Sequence, residues 1–248
     1  MSALLSIRDL RKSYGALKVT DGISLDVPAG ELHAIIGPNG AGKTTFIHQL
    51  SGSLKSDSGA VHFDGADITR LSMVARVKRG LARSFQITSI LDGFSVLENV
   101  ATAVQARSGS SFRFLTPAAS ETALNAEAME ALARVNLADR AHRQAGTLSH
   151  GEKRQLEIAI ALATGAKMLL LDEPLAGTGH EEGAILIDLM RQLKSTHTIM
   201  LIEHDMEAVF ALADRVSVLV YGKLIATGDP AAVRADPAVR AAYLGEDA

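Results

Sequence analysis

The sequence predicts an α/β fold built around a parallel sheet. A short apolar run, residues 32–36, is followed by a glycine-rich loop and then by a helical pattern over residues 46–50. Two further apolar runs, residues 168–171 and 198–202, are each followed directly by acidic residues. Continuous apolar runs of this length are typical of strands that are covered on both faces.

The glycine-rich loop at residues 37–45 fits the pattern G-x-x-x-x-G-K-[ST] between a strand and a helix, the context that this pattern requires. Gly40 and Gly42 permit backbone conformations in which successive N–H groups turn towards a phosphate. Lys43 can reach the β- and γ-phosphates, and the hydroxyl of Thr44 can ligate Mg²⁺. A glycine-rich turn that contains a lysine is the alternative. The residues predicted to bind a nucleoside triphosphate here are Gly37, Pro38, Asn39, Gly40, Ala41, Gly42, Lys43, Thr44 and Thr45.

Composition excludes several classes of protein. The 248 residues are 47% hydrophobic, which is enough for one large or two small cores. A net charge of −3 gives no global electrostatic support for nucleic-acid binding, and we expect no nucleic-acid partner. The absence of cysteine excludes disulfides, thiolate metal sites and cysteine nucleophiles. No signal peptide is expected and no apolar run reaches the ~18 residues of a membrane span, so we expect a chain that reaches a membrane only through a partner.

Weaker strand patterns lie on both sides of the glycine-rich loop. Residues 4–10 and 17–27 indicate strands of a sheet edge, and residues 60–63 indicate a short strand before the turn at Asp64-Gly65. Tyr14 lies in a turn between the first two strands. Its ring could stack on a nucleobase or could be a half-buried turn tyrosine, and the local sequence favours neither.

Alanine-rich helical patterns replace strand patterns between residues 96 and 163. No linker flanks this region, so we interpret residues 88–163 as a helical insertion. The α/β frame is then formed by residues 1–87 and 164–248 of a single domain. Near the end of the insertion, Ser149 and Glu152 form a capping-box pattern, and the helix start around Gly151 could bind a phosphate. Taken alone, an ordinary capped helix is the better interpretation.

Polar residues follow three predicted strands. In a P-loop protein, Asp172 can hold the Mg²⁺ shell and the next carboxylate, Glu173, can polarise an attacking water; an exposed strand-end turn is the alternative. Gln86 has an amide oxygen suited to a cation or a water, although a surface glutamine is the better interpretation of the local sequence alone. His204 lies at the edge where α/β sheets bind ligands, whereas a lone histidine is more often structural.

The order of these motifs closely resembles that of the ATP-binding subunits of ABC transporters, over essentially the whole chain. The ordered set is Tyr14, residues 37–45, Gln86, Leu148-Ser149-His150-Gly151-Glu152, Leu171-Asp172-Glu173 and His204. The resemblance implies an ATPase with a RecA-like P-loop core, an antiparallel β subdomain and an inserted helical subdomain. ATP and Mg²⁺ are the implied substrate and cofactor.

Within the core, the resemblance implies that Asp172 closes the Walker B strand as a metal ligand and that Glu173 is the general base. His204 is implied to contact the γ-phosphate. Gln86 is implied to link the Mg²⁺ site to a membrane partner, with residues 89–103 carrying the contact to the permease. Tyr14 is the implied contact to the base.

In this family two ATPase subunits pair head to tail. The resemblance therefore implies that Ser149 and Gly151 of one subunit cap the ATP that Lys43 of the other subunit holds. The resemblance identifies residues 148–152 as the signature motif. His150 replaces its commonest glycine, and we expect the His150 side chain to point away so that activity survives. Residues 175–180 lack the usual D-loop aspartate, which puts communication across the dimer in doubt.

Several segments resemble the branched-chain amino acid importer ATPases, and specifically the longer of the two ATPase subunits: Gln155-Leu156-Glu157-Ile158-Ala159, Glu173-Pro174-Leu175-Ala176-Gly177, Ile202-Glu203-His204-Asp205-Met206 and Tyr243-Leu244-Gly245-Glu246. The implied partners are integral-membrane permease subunits, a second ATPase subunit that is identical or paralogous, and indirectly an external substrate-binding protein. The implied location is peripheral, at the cytoplasmic face of the inner membrane.

ATPases of lipopolysaccharide export and of urea or amide uptake share much of the pattern. A soluble ABC ATPase of translation or DNA repair, and a non-catalytic ATP sensor, are the alternatives from other classes.

Overall fold

The structure is a computed structural model that describes residues 3–84, 90–108 and 122–244. The described residues form ten strands and nine α-helices. The strands are β1 (Ala3–Tyr14), β2 (Leu17–Pro28), β3 (Leu32–Ile36), β4 (Ser58–Phe63), β5 (Ala66–Asp67), β6 (Leu81–Arg83), β7 (Met168–Asp172), β8 (Thr198–Ile202), β9 (Arg215–Val220) and β10 (Lys223–Gly228). The helices are α1 (Lys43–Ser51), α2 (Met73–Lys78), α3 (Val96–Ser108), α4 (Thr122–Arg134), α5 (His150–Ala163), α6 (His180–Leu193), α7 (Met206–Leu212), α8 (Pro230–Ala235) and α9 (Pro237–Leu244).

Six strands form the central sheet, in the order β10-β9-β3-β8-β7-β6. All its pairs are parallel except β9 with the edge strand β10. Ile202 of β8 pairs with Ile35 of β3 on one side and with Asp172 of β7 on the other. The carboxyl ends of these three strands are therefore level, and the residues that follow them lie at one edge of the sheet.

The central strands are buried on both faces. Leu169 and Leu171 pack into an apolar cluster with the helices from α3 to α6, whereas Met168 and Leu170 pack into the cluster that contains Phe46 of α1. This alternation explains why β7 is continuously apolar in sequence, because each of its faces contacts a different layer.

The remaining four strands form an antiparallel sheet in the order β2-β1-β4-β5. Its inward residues, among them Leu5 and Ile7, join the cluster around Phe46. The α1 helix therefore lies between the two sheets, and the predicted α/β fold with an antiparallel β part is confirmed.

Between β6 and β7 in sequence, the described residues form the helices α3, α4 and α5, as expected. Val100 and Val104 of α3, Ala128 of α4 and Leu156 of α5 share one apolar cluster with Leu171 of β7. The core of the helices is thus continuous with one face of the sheet, and the subdomain boundaries at residues 88 and 163 stay a prediction. No helix in the described part of the chain is long and apolar enough to cross a bilayer.

Candidate nucleotide-binding site

The loop between β3 and α1 packs closely at two of its glycines. A Cβ at Gly37 would lie 2.1 Å from the carbonyl oxygen of Leu219, and one at Gly42 would lie 2.3 Å from the carbonyl oxygen of Val19. Gly42 also has a φ of 104°, in the left-handed region that favours glycine. The loop can therefore approach β9 and β2 only with glycine at these positions.

The first turn of α1 is open to an anion. The helix begins after Gly42 with no side-chain cap and has no acidic residue in its first turn. Thr44 is exposed on that turn, and Asn39 and Gly40 are exposed in the loop before it. Uncapped N–H groups and the partial positive charge of a helix start together favour a phosphate.

The Lys43 side chain is directed into the loop between β3 and α1. Its Nζ donates hydrogen bonds to the carbonyl oxygens of Gly37, at 2.5 Å, and Pro38, at 3.1 Å. Burial lowers the pKa of the Lys43 ammonium, and the nearby charges of Glu173 and Asp172 act in the opposite direction. The structure therefore brings this lysine and both predicted carboxylates within electrostatic reach of one another.

Asp172 is held by a partner that the sequence analysis missed. Arg83, on the neighbouring strand β6, donates from Nη2 to Oδ2 of Asp172 at 2.8 Å, and both side chains are almost fully buried. A buried ion pair is sensitive to loss of either member, because the remaining charge is then uncompensated. A basic residue within a short apolar strand was the available signal, but only the pairing of β6 with β7 identifies its partner.

Glu173 has a strained backbone, with a φ of 48°. Its N–H donates to the carbonyl oxygen of Ile202 at 2.9 Å, and its own carbonyl oxygen accepts from the N–H of Ala176 at 3.1 Å. Backbone of this kind persists when its surroundings hold it, and such positions cluster at functional sites.

Glu203 is a second residue that the sequence analysis missed. Its fully buried carboxylate accepts from the N–H of Leu175 at 2.8 Å and from the N–H of His204 at 3.1 Å. Burial raises the pKa of this carboxyl group, and those backbone hydrogen bonds oppose the shift. Glu203 thus ties the segment after β7 to the segment after β8, while the imidazole of His204 is 63% exposed at the sheet edge.

Tyr14 is the last residue of β1, and its side chain is about half exposed at 54%. The Nζ of Lys12 lies 5.4 Å from the centre of its ring. Base stacking by Tyr14 stays a prediction. Gln86, predicted as a catalytic and metal-binding residue, lies outside the described residues.

The described hydrogen bonds of Ser149 and Gly151 are made with residues outside the P-loop, residues 37–45. The predicted capping box is confirmed: the Ser149 hydroxyl accepts from the N–H of Glu152 at 3.2 Å, and the Glu152 carboxylate accepts from the N–H of Ser149 at 3.0 Å. Gly151 donates its N–H to the carboxylate of Glu182 at 3.1 Å. No hydrogen bond or ion pair within the described ranges joins Ser149 or Gly151 to residues 37–45.

The oxygen donors at the sheet edge fit Mg²⁺. The Thr44 hydroxyl and the Asp172 carboxylate are hard ligands, and the described residues contain no group of three or more His, Cys, Asp or Glu that could hold a metal by themselves. Mg²⁺ is commonly held by one or two protein oxygens together with substrate phosphates and water. The arrangement therefore suits a metal that arrives with a nucleotide.

Known proteins are similar to this chain in both sequence and fold. The sequence pattern of the ABC transporter family matches residues 20–176, and that of the branched-chain amino acid ATP-binding cassette transporter matches residues 223–248. The chain is 36% identical over 252 residues to the high-affinity branched-chain amino acid transport ATP-binding protein BraF of Pseudomonas aeruginosa, with 98% of both chains covered. It is 33% identical over 245 residues to the lipopolysaccharide export system ATP-binding protein LptB of Haemophilus influenzae, again with 98% of both covered.

Two solved structures are similar throughout. A nucleotide-free ATP-binding cassette from an ABC transporter superposes with a TM-score of 0.85 at 31% identity, covering 97% of this chain and 98% of its own. An ATP-binding cassette in its ADP conformation gives a TM-score of 0.86 at 31% identity, covering 99% of this chain and 100% of its own. The motif order, the strand-end site and these relatives agree, and the chain belongs to the ABC transporter family as an ATP-binding cassette ATPase.

Proposed function

We propose that this chain is the ATP-hydrolysing subunit of an importer for branched-chain or related amino acids. It is peripheral, at the cytoplasmic face of the cell membrane, where it is bound to permease subunits. The match of residues 223–248 to the branched-chain pattern and the names of the relatives support the substrate class. The observation that carries the ATPase activity is that Lys43, Asp172 and Glu173 come at or after the level carboxyl ends of β3 and β7, at one edge of the sheet.

The residues at this edge of the sheet have different roles in nucleotide binding and hydrolysis. The open first turn of α1 and the Lys43 ammonium bind the β- and γ-phosphates. Thr44 and Asp172 would hold Mg²⁺, which would neutralise charge on the phosphates. Glu173 takes a proton from the attacking water, and His204 donates a hydrogen bond to the γ-phosphate. Arg83 fixes the carboxylate of Asp172 at the end of β7.

A second ATPase subunit completes the site. The start of α5 is the other phosphate-binding surface, but within one chain it makes no hydrogen bond to the P-loop among the described residues. We propose that Ser149 and Gly151 act on the nucleotide of a partner subunit, either a second copy of this chain or a paralogue. Binding of ATP between the two subunits then drives their closure, and hydrolysis releases it.

This chain has a groove beside β6 that is a candidate docking site for the permease. A cavity of about 500 Å³ lies between α2, β6 and α3, with apolar walls and with Lys78 and Arg107 at its rim. Val74 lines this cavity and is 62% exposed. Ala103, at the end of the predicted permease-contact segment, also lines it. An amphipathic helix of the permease, with its apolar face inward, fits these walls.

Purification of this chain from its native host in mild detergent, with all partners identified by mass spectrometry, tests the assignment. We expect two multi-span permeases and a second ATPase subunit, and the associated external binding protein then identifies the substrate. Recovery with lipopolysaccharide-export components, as the likeness to LptB would favour, contradicts the assignment to amino-acid import. The assignment of ATPase activity is unaffected by that result. Recovery with ribosomes contradicts transport.

The groove is tested by Val74→Asp, which places a charge on its apolar wall. We expect the variant to bind ATP normally and to lose most of the permease in the same purification, because an unpaired charge in a buried interface is strongly unfavourable. The control is Ile225→Asp, a change at an exposed apolar residue of β10 outside the groove. Equal recovery of the permease with both variants contradicts docking at this surface.

A further inference from the structure

Two hydrogen bonds join the start of α5 to the segment that follows β7. The imidazole Nε2 of His150 lies 3.1 Å from the carbonyl oxygen of Ala176, and the N–H of Gly151 donates to the carboxylate of Glu182 at 3.1 Å. The same imidazole packs on Gly177, where a Cβ would lie 3.2 Å from Nε2. The signature segment and the D-loop of one chain are therefore in direct contact through the residue that departs from the common signature.

The partner of His150 fixes the direction of its hydrogen bond. A carbonyl oxygen only accepts, so Nε2 must carry the proton, in either the neutral imidazole with its hydrogen on Nε2 or the imidazolium. His150 is thus a donor to the D-loop. Glycine, the commonest residue at this signature position, has no side chain with which to make this contact.

Ala176 connects His150 to the backbone of Glu173, the proposed general base. Its carbonyl oxygen accepts from His150, and its N–H donates to the carbonyl oxygen of Glu173 at 3.1 Å. Pro174, between them in sequence, has no N–H to contribute. Two hydrogen bonds therefore connect the signature segment to the strained backbone of Glu173.

We propose that His150 is a positioning residue for hydrolysis, which holds the turn 173–176 from the start of the signature helix. It supplies a link between the signature segment and the D-loop, residues 175–180, which contain no aspartate. When the partner's nucleotide binds at Ser149 and Gly151, a displacement of this helix start would move the turn 173–176. The turn carries Glu173, the residue that activates water in the same chain. This inference rests on the proposed function, since it assumes that Glu173 is the base and that the signature meets nucleotide.

The test compares His150→Leu, which removes the donor, with His150→Gln, whose amide nitrogen can reach the position of Nε2. His142→Leu is the control, because His142 is an exposed histidine outside this contact. Mg²⁺-dependent ATP turnover is measured on the chain together with the ATPase subunit and permeases that purify with it. We expect kcat to fall about tenfold in His150→Leu with the KM for ATP unchanged, the effect of one lost positioning hydrogen bond. We expect His150→Gln to remain within about twofold of wild type.

Amide hydrogen exchange of residues 175–178 supplies a readout that needs no turnover. We expect faster exchange in this segment in His150→Leu than in His150→Gln, with exchange in the central strands unchanged. Wild-type kcat and wild-type exchange in His150→Leu overturn the proposal, as does a loss of ATP binding equal to the loss of kcat. An inactive wild-type complex contradicts the proposed function instead, and the exchange comparison still decides whether His150 holds the turn.

Discussion

Two helix starts in this protein are assigned to phosphate, and they differ in charge. The α1 helix begins after Gly42 without a side-chain cap and with no acidic residue in its first turn. The α5 helix begins with the Ser149 capping box, so Glu152 already lies in its first turn, and the carboxylate of Glu182 accepts from the N–H of Gly151. The start of α1 can bind an anion directly, whereas the start of α5 already contacts two carboxylates of its own chain.

This difference matches the two parts that the helices play in the proposed function. The P-loop binds nucleotide within one chain, so its affinity depends on residues that the chain itself places there. The signature segment is proposed to meet a nucleotide that the partner holds, and the Glu182 carboxylate at Gly151 opposes the approach of a phosphate by like charge, whereas Glu152 is paired with Arg140. In the proposed function, we therefore expect Glu182 to compete with the phosphate of the partner's nucleotide for the start of α5.

The largest expected effect comes from Glu173→Gln, which separates binding from hydrolysis. The amide cannot take a proton from water, and we expect kcat to fall by about 10²–10⁴-fold while ATP affinity is kept. The variant should accumulate an ATP-dependent closed dimer, measurable by size-exclusion chromatography with light scattering. Equal hydrolysis by wild type and variant would contradict the assignment of Glu173 as the base.

Lys43→Ala removes the cation of the open helix start. We expect ATP affinity to fall by about 10- to 100-fold, the effect of losing a charge-assisted hydrogen bond to phosphate. Lys153→Ala, in the first turn of α5, is the matched change at the other helix start and should leave affinity within about twofold. Titration of a fluorescent ATP analogue measures both. Similar losses in the two variants would show that the helix starts do not differ as proposed.

Gly42→Ala tests whether the shape of the P-loop depends on this glycine. A methyl group would meet the carbonyl of Val19 in a left-handed backbone, and we expect the free energy of unfolding to fall by about 1–3 kcal/mol. Gly40→Ala is the control, since Gly40 has a similar positive φ of 77° but open space around it. Urea unfolding should show a smaller loss, near ~1 kcal/mol, for the control.

Glu182→Gln gives the smallest expected effect. The amide oxygen still accepts from Gly151, but the negative charge near the start of α5 is gone. In the Glu173→Gln background, we expect the closed dimer to form at an ATP concentration a few-fold lower, because a helix-start charge contributes about 0.3–1 kcal/mol. An unchanged or higher ATP requirement would contradict the role of Glu182 as a competitor of phosphate.

Features that depend on neighbouring residues could be predicted from the sequence. The P-loop follows from a strand, a glycine pattern and a helix in direct succession, and the capping box joins Ser149 to Glu152 only three residues away. The apolar runs of β7 and β8 indicate buried strands because each face of such a strand meets a packed layer. Level strand ends then account for the grouping of Lys43, Asp172 and Glu173.

The residues that support Lys43, Asp172 and Glu173 could be identified only from the fold. Arg83 and Asp172 are 89 residues apart in sequence, and the pairs Glu203–Leu175, His150–Ala176 and Glu182–Gly151 are 28, 26 and 31 residues apart. Each contact depends on strand order and on the packing of α5 against α6, which no local pattern encodes. The family and the residues that we propose to bind phosphate could therefore be inferred from local motifs in a fixed order. Their supports were decided by strand order and helix packing, since a hydrogen bond between distant segments forms only where the fold brings a donor to an acceptor.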